Sequence, residues 1–324
     1  MLKAELHCHI EGAAEPALVQ RLAGKYDMDV SNVIRDGKYV WTDFASFLKC
    51  YDTASQVFRE PQDYRLLAYD YFSRLGEQGA IYGEVFASPD HAGAMGTGYE
   101  DLIDAMAAGI DDANSETGIE GRILVTCVRH LGASAAEAVA ELAANHPHPK
   151  VTGFGMAGDE RAFEVEEFAT AFDIAADAGL GLTAHAGEFG GADSVRKAVD
   201  HLGITRIGHG VRAVEDRELL EHIANHGITL EVCPASNISL GVYKDFADHP
   251  FRTLDEAGVR VTLNSDDPPY FATSLENEYQ IAQTQFGYEA AGLNRLTRNA
   301  IEAAFVDETT RSRLLKRLDA ETVG

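Results

Sequence analysis

Basic residues are scarce in this chain. The 27 Lys and Arg stand against 52 Asp and Glu, a formal net charge of −25 that is spread along the sequence and not gathered into a tail. Such a surface repels phosphate backbones, which excludes nucleic acid as an expected partner, and it favours solubility. Cysteine is scarce too. Cys8, Cys50, Cys127 and Cys233 are scattered without paired spacing, each in an apolar run, so buried thiols are expected and no disulfide framework is implied. No run of about 18 apolar residues exists to span a membrane. Lys3 and Glu5 interrupt the first residues before any apolar stretch of a secretory signal could form. A reducing cytoplasm is the expected location. Internal repeats and low-complexity tracts are also missing, as is a Gly-x-Gly-x-x-Gly fingerprint at the first strand-helix turn.

What is present is an alternation. At 324 residues and 45% hydrophobic content the chain can bury a large core. Runs with strand character fall at 2–10, 80–87, 122–128, 151–156, 180–184, 205–208, 228–233 and 259–264, and helical patterns lie between them, among them 135–144, 163–178, 194–202, 216–225 and 250–257. Eight strands separated by helices predict an α/β chain folded as one closed parallel (β/α)8 TIM barrel over 1–324. Residues 29–78 are longer than one crossover needs, and Phe44, Phe47, Leu48 and Tyr51 have amphipathic-helix spacing, so a helical lid is expected between the first two strands. The tail, 293–318, reads as closing helices.

The polar residues fall where such a barrel would use them. His7 and His9 lie two apart and share one side of an extended segment. His185 ends the expected fifth strand, His209 the sixth, and Asp266 and Asp267 follow the eighth. The carboxyl ends of barrel strands converge on one face, so these distant residues would share a pocket. Three imidazoles and a carboxylate, His7, His9, His185 and Asp266, are the composition of a catalytic zinc site with an open position for water. Glu188, three residues after His185, could donate a proton if burial raises its pKa, and His209 could serve as base or electrostatic partner.

The same residues carry a resemblance. Glu5-Leu-His-Cys-His-Ile-Glu-Gly12, Ala157-Gly-Asp-Glu160, His185-Ala-Gly-Glu188, Arg206-Ile-Gly-His-Gly210, Leu230-Glu-Val-Cys-Pro-Ala-Ser-Asn237 and Leu263-Asn-Ser-Asp-Asp-Pro268 resemble, in order, the adenosine deaminase family of the amidohydrolase superfamily. The resemblance implies one zinc ion on His7, His9, His185 and Asp266, with replacement of a purine 6-amino group by oxygen in purine salvage. It implies Glu188 as proton donor to N1 and His209 as the residue that orients the attacking hydroxide. Asp267 would bond N7 and the backbone of Gly158 would contact N3, with His9 and Glu11 bordering the substrate.

Glu11 replaces the Asp that adenosine deaminases commonly carry for the ribose 5′-hydroxyl. With Asn264-Ser-Asp-Asp-Pro-Pro-Tyr-Phe271 it resembles the adenine deaminase branch, whereas Ala157-Gly-Asp-Glu160 and Arg206-Ile-Gly-His-Gly210 resemble the nucleoside branch. The balance leans to adenosine and 2′-deoxyadenosine, with adenine or an N6-substituted adenine behind. A nucleotide is disfavoured, because the sugar end offers Glu11 and no basic cluster. A two-metal amidohydrolase would need a carboxylated Lys or bridging acid where this chain has Gly153-Phe-Gly-Met156. A non-catalytic purine-binding protein would not need a proton donor beside a metal.

Overall fold

Short apolar runs bounded by glycine or polar residues become strands. In the computed structural model, which describes residues 1–322, eight of them form one all-parallel sheet. They are β1 Lys3–Glu5, β2 Ala80–Ala87, β3 Glu120–Val128, β4 Val151–Ala157, β5 Gly181–Ala186, β6 Arg206–His209, β7 Thr229–Val232 and β8 Arg260–Leu263. Successive strands pair in parallel from β1 through β8. The chain just after β8 then meets the chain just after β1. Asp266 N–H donates to the His7 carbonyl and His9 N–H donates to the Asp266 carbonyl, each at 3.0 Å. This seam closes a (β/α)8 barrel, the architecture expected from the alternation.

The first strand is shorter than the expected 2–10. Its ladder stops at Glu5, and the Leu6 N–H goes to the Asn264 side chain at 2.9 Å. A side-chain acceptor has displaced a ladder partner, and pairing resumes only as isolated bridges at Cys8 and His9. The expected helix over 163–178 is also divided. Phe163 has φ of +59°, outside the helical region, so a 3₁₀ turn at Val165–Phe168 precedes the helix Ala169–Asp177.

Residues 29–78 do not form one lid. A hairpin, Ile34–Arg35 with Lys38–Tyr39, leads to the helix Phe44–Ser55 and then to the helix Pro61–Glu77. The last of these buries Tyr64, Leu67, Ala68, Tyr71, Phe72 and Leu75 against β2 and the helix Tyr99–Thr117, so it is the barrel's own crossover. Fully buried side chains such as Leu67 and Phe72 contribute about 1.5–3 kcal/mol each. The inserted part ends before Pro61. Its helix Phe44–Ser55 starts with a reciprocal cap, Ser46 N–H to Asp43 Oδ1 at 2.8 Å and Asp43 N–H to Ser46 Oγ at 2.9 Å. The hairpin and helix dock on the loop after β8: Tyr39 stacks on Tyr270 at 3.7 Å and Phe47 packs on Phe271 at 5.2 Å.

Candidate active site

The seam that closes the barrel also carries the ligands. One ligand atom from each of His7, His9, His185 and Asp266 lies within 4.8 Å of the others. His9 Nε2 is 3.2 Å from His185 Nε2 and 3.4 Å from Asp266 Oδ1, and His7 Nε2 is 3.6 Å from Asp266 Oδ1. The far side of two rings fixes their protons. His185 Nδ1 meets the Met156 carbonyl at 2.8 Å, and a carbonyl only accepts, so Nδ1 carries the hydrogen and Nε2 is a bare lone pair. His7 Nδ1 meets Glu231 Oε2 at 2.7 Å, which leaves His7 Nε2 buried without a hydrogen-bond partner. Lone pairs aimed at one point, each ring held by an acceptor behind it, fit a divalent cation. A second cluster, His7, His209, Cys233 and Asp266, fits less well, because burial holds the Cys233 thiol well above its usual pKa.

Burial opposes the charge on His7, yet the neighbouring carboxylates of Asp266 and Glu231 outweigh that and push its pKa up to about 9, a proton that a cation would displace. Burial also opposes charge on Asp266, but the neighbouring rings of His7 and His9 keep its carboxyl well below the usual range. His185 is held neutral by burial. Asp266 (φ +62°) and His209 (φ +61°) both adopt left-handed backbone, a strain of roughly 1–3 kcal/mol each that collects at functional sites. Two glycines allow the packing. A Cβ on Gly208 would lie 2.8 Å from the His7 ring, and one on Gly12 would lie 1.6 Å from Asp267 Oδ1.

The expected catalytic and substrate residues His9, Glu11, Gly158, Glu188, His209 and Asp267 line one cleft together with the ligands His185 and Asp266. Phe44, Phe47, Leu48 and Tyr51 of the inserted helix also line it. Burial first, then the charges of Asp266 and Glu160, hold the Glu188 carboxyl well above its usual pKa. Asp267 is raised by burial and then by Asp266 and Glu188. Burial keeps His209 down at about 4. Tyr51 donates to Glu11 Oε2 at 3.1 Å. Glu11 Oε1 and Asp267 Oδ1 are buried and unpartnered.

Several residues that support this site have no role in the sequence reading. Glu160 accepts the N–H groups of Gly187 (2.5 Å), Glu188 (3.0 Å), Phe189 (2.7 Å) and Gly190 (2.9 Å) and the Ser194 hydroxyl (2.6 Å), so it shapes the loop that presents Glu188. Ser236 donates to Asp266 Oδ2 at 2.6 Å. Beneath the ligands, Arg206 bonds Glu231 Oε1 at 2.6 Å, pairs with Glu84 Oε2 at 2.7 Å and lies over the Phe305 ring at 3.7 Å. A charge in the middle of an otherwise apolar strand, as in Ile228-Thr-Leu-Glu-Val-Cys233, is the signal that marks Glu231 and Glu84. His249 gives no such signal.

Comparison with known proteins adds an independent finding. A family model described as adenosine deaminase matches residues 2–321. The adenine deaminase of Sinorhizobium medicae is 56% identical over 316 residues, 98% of each chain. Among solved structures, an adenine deaminase from Arthrobacter aurescens superposes with a TM-score of 0.92 at 26% identity, covering 99% of both chains. An amidohydrolase from Burkhoderia ambifaria with bound zinc gives 0.91 at 27% identity, covering 99% of this chain and 90% of that one. The lean toward adenosine drawn from motif balance is not favoured by these relatives, whose names support the alternative, adenine.

Proposed function

The chain belongs to the adenosine deaminase family and is a purine deaminase, and from that premise we propose that its substrate is the free base adenine, hydrolysed to the 6-oxo purine and ammonia. The observation that carries the choice is Glu11. Its Oε1 is buried and without a partner, while Oε2 accepts from Tyr51 of the inserted helix. Free adenine brings an imidazole-ring N–H that an unpaired carboxyl oxygen can accept; adenosine carries ribose at that nitrogen and brings none. Adenosine would meet this acceptor only with a ribose hydroxyl, the partner of the shorter Asp in the nucleoside branch; the longer Glu11 favours a direct bond to the ring N–H of the base, and a buried acceptor that misses its partner costs about 1–3 kcal/mol. The names of the relatives point the same way.

In this reading His7, His9, His185 and Asp266 hold a divalent ion, with zinc the proposed metal. When bound, such an ion supplies Lewis acidity that ionises water near neutral pH. Glu188 holds a proton at its carboxyl and delivers it to N1 as the oxygen of water adds to C6; of the two water protons, one restores the Glu188 carboxyl and the other passes to the amine, which leaves as ammonia when the C6–N bond breaks. Asp267 and the Gly158 backbone orient the purine, and orientation is among the larger sources of catalysis. The walls of Phe44, Phe47 and Leu48 exclude water from the ring face, and the inserted helix serves as the lid.

Turnover of adenine and adenosine, compared on metal-loaded protein by the change in purine absorbance, tests this. The expected kcat/KM for adenine exceeds that for adenosine by ~10²-fold or more, as for sites that bond a group the analogue lacks. Equal or faster turnover of adenosine overturns the proposal.

A further inference from the structure

Asn237 and His249 stand outside the roles above, and the hydrogen bonds that join them run in one direction only. The backbone N–H of Phe251 can donate and cannot accept, and it meets Nδ1 of His249 at 3.2 Å. Nδ1 of His249 is therefore bare, and the ring proton lies on Nε2. That Nε2–H meets Oδ1 of Asn237 at 3.1 Å, which fixes which end of the amide is oxygen. Asn237 then turns its NH2 toward His209 Nδ1 at 3.3 Å and toward Glu188 Oε1 at 3.5 Å. A donor cannot face a protonated nitrogen. The proton of His209 must sit on Nε2, the nitrogen 3.9 Å from Asp266 Oδ2.

We infer that His249 and Asn237 are positioning residues that lock His209 in its Nε2–H tautomer, so that His209 meets the reacting water as a hydrogen-bond donor and not as its base. The clause about reacting water rests on the deaminase reading; the tautomer does not. Asn237 is 0% and His249 6% exposed, so bulk water does not compete for these bonds. Tyr243 and Phe286 pack on the His249 ring at 5.2 and 5.5 Å and hold its orientation. The consequence is specific. Removing the far end of the relay, two hydrogen bonds from His209, frees that ring to place its proton on either nitrogen.

The test combines magnetic resonance and kinetics on the zinc-loaded protein. With ¹⁵N-labelled histidine, the His209 signals, assigned by their loss in His209→Ala, should report a proton on Nε2 in the wild type. His249→Leu should give a mixture of tautomers and a kcat for adenine lowered ~10²-fold, the scale of losing one oriented donor, with KM and zinc content nearly unchanged. His249→Gln, whose amide N–H can replace the imidazole donor, should recover most of that loss. A wild-type proton on Nδ1 overturns the inference, and so does a His249→Leu enzyme that keeps the Nε2–H tautomer. Failure of the wild type to turn over adenine would strike the proposed function alone, since the resonance readout is independent of it.

Discussion

Glu188 shows how a common side chain acquires an uncommon property. In water a glutamate is ionised at neutral pH; buried beside Asp266 and Glu160, the Glu188 carboxyl holds its proton more tightly because the ionised form has lost its solvent and gained two like-charged neighbours. Gln at this position matches the shape and hydrogen-bonding volume but has no transferable proton. Glu188→Gln is expected to lower kcat for adenine by ~10²–10⁴-fold while leaving zinc content and melting temperature intact. Assay beside metal analysis checks this, and near-normal kcat removes Glu188 from the proton-donor role. The positions of Glu188 and His209 are legible in the sequence because each sits at or just past a strand end, where the barrel makes its pocket. Glu160, Asn237 and His249 are not, because what they do is set by which backbone N–H or ring nitrogen faces them, and no pattern in the chain encodes that pairing.

The loop 187–190 takes its shape from a single buried carboxylate. Four consecutive-region N–H groups and the Ser194 hydroxyl converge on the one carboxylate of Glu160, and these bonds outweigh burial to keep Glu160 below its usual pKa. An amide in its place must turn an NH2 toward those donors. Glu160→Gln is expected to reduce kcat by about 10-fold or more through misplacement of Glu188. Amide exchange at 187–190 should quicken at the same time, while the exchange of β3 and β4 stays unchanged; retained loop protection would contradict the account. Seven of the eight strands were legible because buried parallel strands read as continuous apolar runs. For β1 the start is legible and the end is not, since the end is claimed by a side chain, Asn264; the helix Pro61–Glu77 falls inside the expected lid segment because length alone does not say where an insertion ends.

For the whole molecule the weak place is the seam. β1 has three ladder residues, and beyond them the seam is joined by the bonds of Leu6 to Asn264 and of Ser265 to Glu5 and by backbone bonds among His7, His9 and Asp266, residues that also supply ligands. Below them the barrel is held by the buried Glu84, Arg206 and Glu231 set, which meets the seam through the His7–Glu231 bond. A cation bound by His7, His9, His185 and Asp266 therefore joins both edges of the closing contact. Binding that favours only the folded state stabilises it by about 4 kcal/mol at a thousandfold excess over Kd. For a chain of this size that is roughly 8 °C in melting temperature, at about 2 °C per kcal/mol. Chelation should lower the melting temperature by about that amount and should accelerate exchange of the His9 and Asp266 amides far more than that of the β4 and β5 amides, which pair on the opposite side of the barrel. Calorimetry and hydrogen exchange before and after chelation decide it: uniform loss of protection around the ring would mean that the ion stabilises the barrel as a whole and that the seam closes without it.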